Sequence, residues 1–288
     1  VTTEPGLRQT APAKVNLGLH VLARRGDGYH EIDTLMAKVE LSDTLVLRSS
    51  SEGVTGTVSC PAGPGFSTTL AMDDENLVVR AIRTYLDAID HPGGVQVDLE
   101  KRIPIAAGLG GGSSDAATAL VGAARLYPAA IDLAPLALDI GSDVPFFLQG
   151  AVAARARGRG EKLTPVHLPA LSIVLVNPGV AVSAADAYSR LQNFTSRMDL
   201  ETILERLDDG EEPSLRNALQ PGVMLTHSVV RDALMALRDH DLRGVLMSGS
   251  GATCLGLAAN DEEAARVAAD VSEEHPDWWV AATRTRRS

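Results

Sequence analysis

From Lys14 to Val21 polar and apolar side chains alternate. Val15, Leu17, Leu19 and Val21 share one face, and Lys14, Asn16, Gly18 and His20 the other, the period-two pattern of a strand. The same reading predicts a strand over 39–48, a hairpin partner for it over 54–58, and a strand over 95–99, where Val95, Val97 and Leu99 alternate with Gln96 and Asp98. Arg24 to His30 is a turn by its glycines and Asp27, and the Pro/Gly/Ser-rich piece from Ser59 to Thr69 a loop. Asp73 or Asp74 is expected to cap a helix through Asn76 and Ile82 that Gly93-Gly94 closes, and a second helix runs over 116–126 to Pro128. A short helix over 134–140 leads into Gly141-Ser142-Asp143-Val144-Pro145-Phe146-Phe147, and 151–155 with 162–168 form a hairpin through Gly158-Arg159-Gly160. From Leu171 the texture changes. A buried strand at 172–176 is followed by helices around 184–194, 199–208 and 228–240, strands at 245–247, 254–257 and 278–283, and a helix at 262–274. Mixed strands and helices with a hairpin predict an α+β chain whose second unit is of the two-layer split βαβ kind, divided into residues 1–165 and 166–288.

Between the strand at 95–99 and the helix at 116–126 stands Gly108-Leu109-Gly110-Gly111-Gly112-Ser113-Ser114-Asp115. A glycine-rich loop running into a helix N-terminus brings unpaired N–H groups and the positive end of the helix dipole to one place, which suits a phosphate. Ser113 and Ser114 are placed to cap the helix or to donate to phosphate oxygens; an ordinary capped turn would show the same glycines. No Gly-Lys dipeptide occurs, so the loop is not the nucleotide-binding P-loop. Nor is it the dinucleotide fingerprint, because Ser113 stands where the third glycine belongs and the loop lies far from an early first strand.

Composition narrows what the loop could serve. With 288 residues, 45% hydrophobic and 22% charged, the chain is globular and large enough for two domains. A net charge of −11 argues against nucleic acid or an anionic membrane as partner, so a phosphate ligand would be held locally by N–H groups, a few lysines or arginines and a divalent cation. Cys60 and Cys254 have none of the spacings of a metal site or disulfide framework, no apolar run is long enough for a membrane span, and Val-Thr-Thr-Glu-Pro lacks the order of a signal peptide. A cytoplasmic protein is expected.

Three further places carry candidate chemistry. Lys14 and Asn16 sit two apart on one strand face, a spacing that can present a charge and an amide to one ligand. The adjacent Tyr29 and His30 suit a flat polar ring, by stacking and hydrogen bonding. Asp143, between glycine and an apolar Val-Pro-Phe-Phe run, reads as a buried helix cap or as a carboxylate aimed into a cleft. Arg155, Arg157 and Arg159 read as a solvated edge.

Taken together, Pro12-Ala13-Lys14-Val15-Asn16-Leu17, Pro104 through Ser114, and Ser248-Gly249-Ser250-Gly251-Ala252 resemble, in order and spacing, the three motifs of the GHMP kinases, which phosphorylate small alcohols such as galactose, homoserine and mevalonate. The resemblance spans nearly the whole chain. Gly26-Asp27-Gly28-Tyr29-His30-Glu31 and Gly141 through Pro145 are most similar to the branch acting on a cytidine-diphosphate-linked polyol. It implies an N-terminal ribosomal-S5-like domain, a C-terminal ferredoxin-like domain, and ATP-dependent phosphorylation of a hydroxyl with Mg²⁺. Asp143 would be the catalytic base and Lys14 its cationic partner, a pairing suited to phosphoryl transfer. By the same resemblance Pro104, Ala107, Gly108, Leu109, Gly110, Gly111, Gly112, Ser113 and Ser114 would hold the ATP phosphates, with Asn76 and Lys101 near the adenine. Tyr29, His30 and Tyr188 would hold the cytosine, and Asn16 and Ser183 lie on the substrate side. Ala106 and Ala107 replace glycines seen in some members. Ser114 and Asp115 are candidate metal ligands, although a Mg²⁺ carried on ATP alone would also serve. A monomer or homodimer is expected. A sister kinase acting on mevalonate, homoserine or a sugar is the nearest alternative, and a catalytically silent nucleotide-binding protein the next. The Tyr29-His30 pair weighs against the first, and retention of both Lys14 and Asp143 against the second.

Overall fold

In the computed structural model, residues 6–61, 63, 66 and 70–287 are described. The opening residues 1–5, and part of the expected loop 59–69, lie outside them. The first sheet is built around two long antiparallel strands, β1 (Leu7–Arg24) and β2 (His30–Ser50), joined by the predicted turn. β3 (Val54–Ser59) follows, then helix α1 (Leu77–Ala88), β4 (Gly94–Glu100), α2 (Gly111–Leu126), α3 (Leu133–Ile140) and the single-turn α4 (Val144–Leu148). β5 (Ala153–Gly158) and β6 (Lys162–Pro165) form the expected hairpin. The sheet order is β3-β4-β2-β5-β6, with β1 also paired to β2.

Two local expectations are corrected. The segment 54–58 is a strand, but it pairs in parallel with β4 rather than as a hairpin with β2, because β4 itself takes the edge of β2 from Thr44 to Ser50. The cap of α1 is Asn76, whose side chain accepts from the Val78 N–H, and not Asp73 or Asp74. Apolar faces of α1 and α2 cover the sheet: Val78, Ile82, Tyr85 and Leu120 pack on Leu45, Leu47, Val95 and Val97. Each such side chain, fully withdrawn from water, contributes about 1.5–3 kcal/mol before entropy is counted.

The second sheet comprises β7 (Ser172–Asn177), β8 (Arg243–Met247), β9 (Cys254–Ala258) and β10 (Trp279–Arg284), all antiparallel in the order β10-β7-β9-β8. Between β7 and β8 run α5 (Ala184–Ser189), α6 (Leu200–Asp208), α7 (Gln220–Thr226) and α8 (Ser228–Asp239), and α9 (Asp261–Glu274) precedes β10. Helix α7 carries too few periodic positions to have been read from the sequence. Val230, Leu234 and Leu237 of α8 and Val267 and Val271 of α9 close over Val174 and Val176. A further cluster joins the two sheets: Val15, Leu17 and Leu35 meet Ile173, Leu175, Leu246 and Leu255. That cluster explains why β1 is buried on both faces despite its alternating sequence; its apolar face is core, and its polar face looks into a cavity.

Among the described residues no helix is long and apolar enough to cross a membrane. Arg155 departs from the solvated edge expected of it. Its guanidinium makes a bidentate pair with the fully buried Asp33 at 2.7 and 2.6 Å, and Asp33 also accepts from the Met198 N–H. Arg157 is exposed.

Candidate active site

The glycine loop begins the site. Helix α2 starts at Gly110, whose φ of +68° lies in the left-handed region, and no side chain caps it. Ser113 and Ser114 are therefore inside the first turn rather than capping it. Ser114 Oγ is buried without a hydrogen-bond partner. Gly108, at φ +76°, lies so close to the second sheet that a Cβ would sit 2.2 Å from the Ser248 carbonyl oxygen. Ser248 Oγ donates to the Gly108 carbonyl and accepts from the Asn16 N–H, and the Lys14 N–H donates to the Leu109 carbonyl at 2.9 Å. The three motif stretches are thus stitched together directly. Asn217, which no sequence pattern singled out, fixes the third by donating to the carbonyls of Met247 and Gly249.

A cavity of about 1230 Å³ opens over this junction, and every predicted site residue except Leu109 and Ser114 lines it. Leu109 is core and offers the loop only its backbone. On the cavity floor Lys14 Nζ stands 3.7 Å from Asp143 Oδ2 and donates to Asn16 Oδ1. Asn16 in turn donates to Thr34 Oγ1 at 2.7 Å, a partner on β2 that sequence alone could not select. Burial lowers the Lys14 pKa, and Asp143 works against that shift. Asp143 precedes α4, but its side chain makes no capping bond, so the carboxylate is left for the cavity.

Lys101 and Asp115 lie under the loop. The Lys101 ammonium donates to Asp43 Oδ2 and to Asp115 Oδ2 at 2.6 Å, and Asp43 Oδ1 accepts from the Arg102 and Ile103 N–H groups. All three charged side chains are almost wholly buried. Burial opposes the Lys101 charge, but Asp115 and Asp43 outweigh it and hold its pKa up. Asp115 is pushed above the ordinary carboxylate range by burial, which Lys101 only partly offsets. The second Asp115 oxygen has no partner. Together with Ser114 Oγ it offers two oxygen donors of the hard type Mg²⁺ prefers; among the described residues no group of three or more His, Cys, Asp or Glu gathers as a metal cage.

Around the remaining wall, Asn76 caps α1 and also donates to the Ala71 carbonyl, and Ser183 caps α5 by accepting from the Asp186 N–H. His30 and Tyr188 are stacked, with centroids 4.9 Å apart and planes at 18°. Tyr29 is 55% exposed, and the guanidinium of Arg159 lies 4.8 Å from its ring. Burial, then the charge of Arg24, lowers the His30 pKa, so its imidazole is neutral near pH 7 with one donor and one acceptor nitrogen. Burial, then Asp143, pushes the Tyr188 phenol up.

Gly110→Val tests the loop. A Cβ there would lie 2.9 Å from Lys14 Cγ and 3.1 Å from Phe147 Cζ, in a conformation that β-branched residues avoid. A left-handed residue of this kind costs about 1–2 kcal/mol, so the folded variant is expected to melt earlier and to bind ATP more weakly in a titration. Unchanged ATP affinity would make the loop an ordinary turn.

Known proteins resemble this chain over nearly its whole length. Residues 76–151 match the sequence model of the GHMP kinases N terminal domain, and residues 192–277 that of the GHMP kinases C terminal region. The 4-diphosphocytidyl-2-C-methyl-D-erythritol kinase of Deinococcus radiodurans is 46% identical over 96% of this chain and 92% of its own length, and that of Thermus thermophilus 45% over 91% of both. A crystal structure of 4-(cytidine 5'-diphospho)-2C-methyl-D-erythritol kinase superposes with a TM-score of 0.85 at 42% identity, covering 98% of this chain and 100% of that one. Homoserine kinase from Cytophaga hutchinsonii shares the fold at a TM-score of 0.68 and 18% identity, over 99% of this chain and 96% of that one. A two-unit α+β fold, three interlocked motifs and near-full-length relatives place the chain in the GHMP kinase family, as an ATP-dependent small-molecule kinase.

Proposed function

We propose that the enzyme transfers the γ-phosphoryl group of ATP to the 2-hydroxyl of 4-diphosphocytidyl-2-C-methyl-D-erythritol, a step of isoprenoid precursor synthesis. The observation that carries this reading is the meeting of Lys14 and Asp143 in the cavity that also holds the glycine loop, Tyr29, His30 and Tyr188. The names of the full-length relatives support it. Asp143 accepts the hydroxyl proton; the freed oxygen attacks the γ-phosphorus as the bond to the bridging oxygen breaks and ADP leaves. Lys14 balances charge on the carboxylate and the attacking oxygen, and Asn16 and Thr34 hold Lys14 in line. Ala107–Ser113 cradle the phosphates through loop N–H groups, and Pro104, which has no N–H, lines the same cavity. Ser114 spends its N–H on the Gly110 carbonyl. Asn76 and Lys101 border the adenine, Lys101 also supporting the loop through Asp115. Ser114 and Asp115 are the groups of this chain that would hold a Mg²⁺ carried on ATP, which when bound would neutralise phosphate charge. With the division at 165/166, Lys14, Asp143 and the loop all belong to the N-terminal unit, while Ser183 and Tyr188 come from the C-terminal one. The enzyme works in the cytoplasm as a monomer or homodimer.

Recognition of cytosine rests on Tyr29, His30 and Tyr188. Stacking on an aromatic is worth about 1–3 kcal/mol per base in single-stranded nucleic-acid sites, and by analogy Tyr29→Ala should raise KM for the cytidine substrate about 5–150-fold. Stacking does not distinguish bases, so selection falls to hydrogen bonds at the ring edge, which a neutral His30 can both donate and accept. His30→Ala is therefore expected to relax discrimination between cytidine and uridine forms. Neither variant should move KM for ATP. Steady-state kinetics with each nucleotide form decides the matter, and equal effects on both substrates, or none, would remove the pair from the site.

A further inference from the structure

Lys14 has a counterpart that the catalytic reading leaves unused. Lys38 is its direct cross-strand partner in the β1–β2 ladder, so the two side chains rise from the same face of the sheet. Both are buried, at 4% and 6% exposure. The short helix α4 lies over the pair. At its start, Lys14 faces the Asp143 carboxylate. At its end, Lys38 Nζ donates to the Gln149 carbonyl at 2.6 Å and to the Phe147 carbonyl at 3.5 Å, and sits 5.2 Å from the centre of the Phe146 ring.

The last carbonyls of a helix have no intrahelical partners and carry the negative end of its dipole, so an ammonium placed there both bonds and neutralises them. A single turn also has little stability of its own. Val144 and Phe146 bury their side chains and hold α4 by apolar packing, and Lys38 supplies the polar contact at its C-terminal end. Burial, then the charge of Arg286, brings the Lys38 ammonium down to about 8, and among the described residues it has no carboxylate partner. The carbonyls of α4 are what hold it. We propose that Lys38 is a positioning residue: it anchors the C-terminal end of α4 so that Asp143, at the other end, stays opposite Lys14 and the attacking hydroxyl. This rests on the reading of Asp143 as the base.

Small displacements of a reacting group cost up to about a hundredfold in rate, so Lys38→Met is expected to lower kcat roughly 10–100-fold with KM for ATP and for the cytidine substrate within about threefold of the parent. Lys38→Arg, which keeps the charge and the donors, should recover kcat to within about threefold. In an Asp143→Asn background, Lys38→Met should lower kcat by no more than about twofold further, because a residue acting through the base has nothing left to position. Should Lys38→Met not fold, Lys38→Gln, a neutral donor of shorter reach, carries the same expectations. A kcat within about twofold of the parent in the folded variant, or an arginine variant that falls as far as methionine, would overturn the proposal. So would the full loss recurring without Asp143. Wild-type turnover in Asp143→Asn alone would instead remove the base itself.

Discussion

Replacing Asp143 by asparagine is expected to lower kcat roughly 10²–10⁴-fold while leaving ATP binding nearly intact. Asparagine keeps the size and planarity of the side chain and removes the proton acceptor. The fold should tolerate the change, because the Asp143 side chain makes no capping bond to α4 and is one third exposed to the cavity. Lys14 would retain its bond to Asn16, so the floor of the site stays in place. Rapid-quench measurement of phosphoryl transfer, with ATP affinity measured separately by titration, separates loss of the chemical step from loss of binding. Near-normal turnover would remove Asp143 as the catalytic base.

The second large effect is on stability. Lys101→Met removes the only cation from a buried group in which Asp43 and Asp115 share one ammonium. Deleting one partner of such a pair leaves uncompensated charge in the interior and costs about 3–5 kcal/mol. Asp43 keeps two backbone N–H donors, whereas Asp115 keeps one unpartnered oxygen and loses the bond on the other. Asp115 therefore bears most of the cost, beneath the phosphate loop. A carboxyl whose folded pKa lies above its unfolded value binds more protons folded than unfolded, so its contribution grows as pH falls through the folded pKa. With Lys101 gone the Asp115 pKa rises further, and the penalty should shrink as pH is lowered from about 8 to about 6. Denaturant titrations at the two pH values check the sign. A penalty that grows on acidification would mean that Asp115 stays ionised in the variant.

The parts of this molecule that could be read from its sequence are those fixed by neighbouring residues. The alternation of Lys14 through Val21, the glycine loop and the β5–β6 hairpin follow from period and turn chemistry, and each is present. What depended on distant partners could not be read. The segment 54–58 has the composition of a strand, but nothing local says that β4 will occupy the edge of β2 and take β3 in parallel. Asn76 outcompetes two upstream aspartates for the cap of α1 because the first turn begins one residue after it. Thr34, Asn217 and Lys38 are silent in the sequence for the same reason: each acquires its role only when register or loop closure sets it opposite a residue far along the chain. Arg155 illustrates the converse. Its local pattern is that of an exposed edge, and only the depth of Asp33 draws it inward.

The most direct test offers the purified protein MgATP with the cytidine-diphosphate-linked erythritol, its uridine form, mevalonate and homoserine, and follows ADP release together with the position of the new phosphate by ³¹P and ¹H NMR. One ADP per turnover is expected with the cytidine compound, with phosphate on its 2-hydroxyl and much slower release with the others. Faster turnover of mevalonate or homoserine, or phosphate at another hydroxyl, would contradict the proposed function.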